Sequence, residues 1–193
     1  MQNVETLNGL GVKKIITQCP HCFNTLGNEY PQLGGNYEVI HHSQLLDELI
    51  RSGRLSVEGA SLEARVTYHD ACYLGRHNDV YLAPRRVVGS LAGIDLIEMP
   101  RNGTRAMCCG AGGARMWMEE QVGKRVNVDR SQEAIATGAS RIASACPFCY
   151  VMLDDGVKGE GVDEEEVIVQ DIAEILWEAI ENADSKATTD GAD

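Results

Sequence analysis

The chain alternates short apolar runs with longer stretches in which apolar residues recur every three or four positions. Val66–His69, Ile94–Met99 and Arg141–Ala145 are of the first kind and predict β-strands. Between them, Pro84 sits where a helix can begin, because proline is tolerated in a first turn, and Arg85–Leu91 continues it. Arg115 to about Ala136 predicts one long helix ended by Gly138. Arg101-Asn102-Gly103 and Asp154-Asp155-Gly156 read as turns, and Asp163–Glu166 as a solvated acidic turn. The small, polar stretch 182–193 predicts a disordered tail.

The pattern repeats. GVKKIITQCPHCF (Gly11–Phe23) aligns with GASRIASACPFCY (Gly138–Tyr150) at a shift of 127 residues. After each copy, YEVIHHSQLLDELI and EEVIVQDIAEILWEAI both read as a short strand, a cap (Ser43 or Asp171) and an amphipathic helix. Residues 1–50 are therefore expected to be the C-terminal part of a first module. Residues 51–65 are a connector, and 66–181 a complete second module. The expected fold class is α/β: two pseudo-repeated modules with short parallel sheets flanked by helices, the first incomplete. The front half of the first module would come from a longer chain or from another polypeptide.

Composition narrows the function. Seventeen Lys and Arg against 29 Asp and Glu give a net charge of −12, which argues against nucleic acid. No apolar stretch approaches the roughly 18 residues a membrane-spanning helix needs. The start lacks the basic-then-apolar layout of an export signal, so the cytoplasm is expected. An odd number of cysteines, seven, grouped at short spacings in a reducing compartment reads as metal ligands or redox catalysts.

Those cysteines carry the chemistry. Thirty-five residues separate Cys72 from Cys108, and 36 separate Cys109 from Cys146 of the Cys146/Cys149 pair. Each group follows a predicted strand. Parallel strands deliver their carboxyl ends to one edge, where open α/β sheets bind ligands. Five thiolates gathered there require a cation, and thiolates select zinc or iron–sulfur clusters. Gly110, Gly112 and Gly113 do not complete a dinucleotide fingerprint, since position 115 is arginine. They suit instead a nest of backbone N–H groups against an anionic cluster, with Arg115 and Arg76 adding positive charge. His69 and Asp70, just before Cys72, are candidates to hydrogen-bond a ligand sulfur or move a proton. His21, replaced by Phe148 in the second copy, is a weaker catalytic candidate, His77 a loop cap, and His41 and His42 are read as surface residues.

HDACYLGRH (His69–His77), MCCGAGG (Met107–Gly113) and ACPFC (Ala145–Cys149) together resemble the cysteine-rich CCG domain. That domain occurs in the heterodisulfide reductase B subunit and in iron–sulfur subunits of glycolate oxidase, anaerobic glycerol-3-phosphate dehydrogenase and lactate-utilisation proteins. The resemblance implies a [4Fe-4S] cluster, cubane or non-cubane, on Cys72, Cys108, Cys109, Cys146 and Cys149. Cys19 and Cys22 match the last two ligands of a first motif whose other cysteines this sequence lacks. It further implies an iron–sulfur oxidoreductase that exchanges electrons with a flavoprotein dehydrogenase or ferredoxin-type partner, or reduces a disulfide-like substrate. Such a protein would be cytoplasmic, or held at the inner face of the plasma membrane through its partner or its missing N-terminal region. A zinc-binding structural or interaction module and a CxxC thiol–disulfide enzyme are the alternatives.

Overall fold

The computed structural model describes residues 1–120, 122–163 and 165–190, with the side chains at 184 and 186–190 outside that description. The elements are α1 (Gln2–Gly9), β1 (Lys14–Thr17), α2 (Pro20–Asn24), β2 (Glu38–His41), α3 (His42–Arg51), β3 (Ser61–Tyr68), α4 (Cys72–Gly75) and α5 (Leu82–Gly89). There follow β4 (Ala92–Ile97), α6 (Val126–Ile135), β5 (Arg141–Ser144), α7 (Pro147–Gly159), β6 (Ile168–Asp171) and α8 (Ile172–Asp190). Every strand pairing is parallel. β1 and β2 form a two-stranded sheet, and the second sheet runs β4-β3-β5-β6. The strand–helix alternation thus yields the expected α/β fold.

The four-stranded sheet has a core on each face, set by the two-residue side-chain period. Val66, Tyr68 and Ala143 pack with Val87 and Val88 of α5 and Ile172 and Ile175 of α8. Ile142, next to Ala143, points the other way, into Ala134 of α6 and Leu153 and Val157 of α7. α6 and α7 approach closely at Gly156, where a Cβ would lie 2.3 Å from Ser131 Oγ and 2.8 Å from the Asn127 carbonyl. The first copy docks through α3. Asp47 pairs with Arg86 of α5 at 2.8 Å, and His42 Nε2 lies 3.0 Å from Asp171 Oδ1 at the start of α8.

Several elements differ from the sequence reading. β3 begins at Ser61, within the expected connector. Its first half pairs only with β4, and β5 joins only at Val66–Tyr68. A strand with one neighbour stays amphipathic and charged, so Glu63 and Arg65 disguise it. The long helix from Arg115 is a single 3-10 turn at Arg115–Trp117. The chain then extends at Met118 and passes through left-handed Gly123 (φ 76°) before α6 starts at Val126. Asp154-Asp155-Gly156 lies inside α7, not in a turn. The Asp163 turn is present, with Asp163 Oδ1 accepting from Glu165 N–H at 3.1 Å, while Glu164 lies outside the described residues.

The expected disordered tail is helical as far as Asp190, and residues 191–193 lie outside the described residues. Once a helix is nucleated by a packed segment, here Ile172–Ala179, each further residue adds a hydrogen bond at little cost. The cap of α3 is His41 and not Ser43. Its Nδ1 accepts from Ser43 N–H at 3.3 Å, and Gln44 Oε1 accepts from His41 N–H at 3.2 Å. Asp171 caps α8 as expected: its Oδ1 accepts from Ala173 N–H at 2.9 Å, and Glu174 accepts from Asp171 N–H at 2.8 Å. His41 is fully buried and His42 nearly so, because the docking of α3 encloses both rings.

Candidate metal centre

The carboxyl ends of β3 and β5 place His69, Asp70, Cys72 and Cys146 side by side, and the ladder continues past β3 through His69 N–H to the Ala143 carbonyl at 2.9 Å. Cys72 opens α4. Cys146 precedes α7, and Cys149 lies in its first turn. Cys108 and Cys109 arrive on the long loop after β4. The turn predicted at residues 101–103 is the fixed point of that loop. Asp70 accepts from Gly103 N–H at 2.7 Å while Arg85 grips both its carboxylate oxygens at 2.7 and 2.8 Å. The buried Arg130 donates to the Arg101 carbonyl at 2.9 Å, and Glu133 accepts from Arg101 N–H at 2.7 Å. Arg76 donates to the Ala106 carbonyl. These charged side chains pin residues 101–106 so that Cys108 and Cys109 are delivered beside Cys72.

The sulfurs neighbour one another in an unbroken series: Cys72 with Cys108, Cys108 with Cys109, Cys109 with Cys149, and Cys149 with Cys146. Cys109 (4% exposed), Cys146 (1%) and Cys149 (3%) are buried. Titration within the series is polarised. Interaction with Cys109 and with Cys72 pulls the Cys108 thiol down to about 2. The same interaction with Cys108 pushes Cys109 up to about 12 and raises Cys72 strongly. Cys146 is lowered by its bond with Cys149, and Cys149 is raised by Cys109, Cys146 and burial. Without a cation, one thiolate forces its neighbours to keep their protons.

The cradle suits an anionic centre. Gly110 N–H donates to Cys108 Sγ at 3.2 Å. Gly110 adopts φ 91°, and a Cβ there would lie 3.1 Å from Asn127 N and from Val126 Cβ, so the loop can approach α6 only as glycine. Gly113 and Ala114 are both left-handed, at φ 63° and 62°. Arg115 turns away into an ion pair with Glu120. Gly112 has open space around its Cα. Of the predicted loop group, Gly110 is the residue that meets a sulfur.

Cys19 and Cys22 interact with each other, and Cys22 is exposed. His21 between them lies tilted against Tyr73 at 4.1 Å and meets Phe148 edge-on at 5.5 Å, while His77 stacks against Tyr73 at 4.2 Å. The first CxxC motif therefore lies against the residue beside Cys72 and the residue between Cys146 and Cys149. The sequence reading missed Arg130, Arg85 and Glu133, which are distant arginines and an acid with no motif of their own. The one available signal was that turn 101–103, just ahead of the double cysteine, needs anchors.

Among the described residues no helix is long and apolar enough to cross a membrane. A probable iron-sulfur-binding oxidoreductase, FadF, of Bacillus subtilis is 43% identical over 185 residues, which are 96% of this chain and 26% of that protein. An EtfAB:quinone oxidoreductase of Syntrophomonas wolfei is 46% identical over 187 residues, 93% of this chain and 26% of that protein. A dihydromethanophenazine:CoB--CoM heterodisulfide reductase polypeptide of Methanosarcina barkeri is 36% identical over 181 residues, 92% of this chain and 43% of that protein. The chain thus spans between about a quarter and two fifths of the length of these curated relatives. The family described as CCG, cysteine-rich domain, matches residues 1–27 and 66–154, which include all seven cysteines. The chain belongs to that CCG cysteine-rich domain family.

Proposed function

We propose that this chain is the cluster-bearing part of an iron–sulfur oxidoreductase, with Cys72, Cys108, Cys109, Cys146 and Cys149 holding one [4Fe-4S] cluster. The observation that carries the reading is the continuous chain of contacts among these five sulfurs, drawn from three segments up to 77 residues apart in sequence. A bound cluster supplies one-electron transfer. Around it, Asp70, Arg76 and Arg130 hold the loop that presents Cys108 and Cys109, and Gly110 N–H offers a hydrogen bond to thiolate. The rings of His21, Tyr73 and Phe148 pack the first CxxC motif against the residue beside Cys72 and the residue between Cys146 and Cys149.

Electron relay with a partner, such as a flavoprotein dehydrogenase or ferredoxin-type domain, is favoured over direct reduction of a disulfide-like substrate. The relative named as an EtfAB:quinone oxidoreductase supports this direction. A thiol–disulfide enzyme built on Cys146/Cys149 is disfavoured, because its attacking thiolate needs access and both sulfurs are buried. We place the protein in the cytoplasm, where seven free thiols persist, with attachment to the inner face of the membrane made through a partner or through an N-terminal region of a longer chain. The open edge of β1, which pairs with β2 alone, suits the further strands of a completed first module, where Cys19 and Cys22 would find their remaining co-ligands.

Anaerobic reconstitution with iron and sulfide tests the proposal. A brown protein with a paramagnetic signal on one-electron reduction is expected. A folded, colourless chain that takes up a single zinc and no iron overturns it.

A further inference from the structure

Among the described residues, His69 is the histidine grouped with the buried cysteine sulfurs. A ring nitrogen of His69 and the sulfurs of Cys109 and Cys149 lie within 4.8 Å of one another, all three residues buried. On spacing alone this is a three-point metal site, and His69 would count as a ligand. Its second nitrogen decides otherwise. Arg130 Nε donates to His69 Nδ1 at 3.0 Å. A guanidinium has donors and no acceptor, so Nδ1 must present its lone pair to Arg130. A neutral ring with a bare Nδ1 carries its proton on Nε2. An imidazole that binds a metal through Nε2 has the opposite arrangement, with Nδ1–H donating to a carbonyl or carboxylate. Nε2 is itself buried and has no partner among the described residues.

We infer that Arg130 is a positioning residue that locks His69 as the Nε2–H tautomer, making it a hydrogen-bond donor to the Cys109 and Cys149 thiolates and excluding it from the ligand set. The orphaned Nε2–H then has its acceptor in the sulfur that ligation leaves negative, alongside the Gly110 N–H to Cys108. Such donors withdraw charge from thiolate and raise a cluster's potential. The lock is built deep. Arg130 is fully buried, its Nη1 fixed by Glu133 at 2.9 Å and by the Arg101 carbonyl at 2.9 Å, so the guanidinium cannot rotate away from His69. The role of His69 at a cluster rests on the five-cysteine reading, whereas the tautomer does not.

The test has two stages on the full 193-residue chain. Long-range proton–nitrogen correlation on the metal-free, 15N-histidine-labelled protein, with His69 assigned from the His69→Phe spectrum, should show a bare Nδ1 and a protonated Nε2. The reverse tautomer overturns the inference. Arg130→Met should give an averaged pair of nitrogen shifts, and an unchanged lock would remove Arg130 from the account. The measurement on the unsubstituted chain stands even if that variant fails to fold. After anaerobic reconstitution, pulsed electron paramagnetic resonance should find only weak nitrogen coupling from labelled His69. His69→Phe should keep its iron while its midpoint potential falls. A nitrogen coupling of ligand strength, or an unshifted potential, overturns the donor role. Failure to bind iron at all would instead sink the proposed function and leave the tautomer result intact.

Discussion

β1–α2 and β5–α7 share one local design, yet only the second sits among the five gathered sulfurs. The likeness reaches single atoms. Left-handed glycines precede both strands, Gly11 at φ 65° and Gly138 at 71°. Thr17 donates to the Cys19 carbonyl at 3.4 Å, and Ser144 to the Cys146 carbonyl at the same distance. Proline follows the first cysteine of each pair. The difference is in what flanks the strand. β5 lies between β3 and β6 with Ile142 and Ala143 fully buried, whereas β1 has one neighbour and leaves Ile16 54% exposed. Beside β5 stand the two further segments that supply Cys72, Cys108 and Cys109. Among the described residues nothing equivalent stands beside β1. A CxxC turn is therefore a local product of strand, proline and helix, while a cluster site is a tertiary product of neighbouring strands.

This contrast can be broken by substitution. The largest effect is expected from Cys109→Ser, in the middle of the sulfur chain: iron uptake is lost, while Cys22→Ser keeps it, as read by iron analysis and visible absorbance. Next is Asp70→Ala, which leaves the partly buried Arg85 without one of its two carboxylates and unpins Gly103. Breaking a buried pair costs about 3 kcal/mol, and denaturant unfolding of the cluster-free chain should show it. Gly110→Ala should cost about 1–2 kcal/mol for its left-handed backbone and shift the cluster's spectrum as Cys108 moves.

His41 gives an effect that is small near neutral pH and grows as the solution is acidified. Burial, then His42, lowers its pKa to about 3. The folded ring stays neutral while the unfolded ring takes a proton below about 6.5, so the unfolded state binds more protons. Stability conferred by the neutral ring is therefore lost as pH falls from about 6.5 toward 3, by about 1.4 kcal/mol per unit. His41→Gln should flatten that slope in a urea titration at several pH values. The least is expected of Lys14→Ala, which removes a pair with Glu38 whose side chains are 45% and 62% exposed. Such pairs contribute at most about 1 kcal/mol, so the melting curve should scarcely move.

Much of this was legible in the sequence because it is local or repeated. The 127-residue shift located β1 and β5 and their CxxC turns, and strand–helix alternation pointed to the parallel sheets that bring Cys72 beside Cys146. What stayed hidden depends on tertiary neighbours. The start of β3 reads as a connector because it has a single partner strand. The stretch after Arg115 carries apolar residues at helical spacing, yet Gly123 interrupts it and Trp117 stays 80% exposed. His41 and His42 look like surface polar residues until α3 docks. Arg130 has no motif, and only the fold brings it to His69, 61 positions away.

The central claim is that five cysteines from three segments, and not the first CxxC pair, hold one cluster in this chain. Iron and acid-labile sulfide per chain, measured after anaerobic reconstitution of the unsubstituted protein and of the Cys19→Ser/Cys22→Ser double variant, test it most directly. About four of each, as a [4Fe-4S] cluster requires, are expected in both proteins. An iron content that collapses when Cys19 and Cys22 are removed would contradict the account.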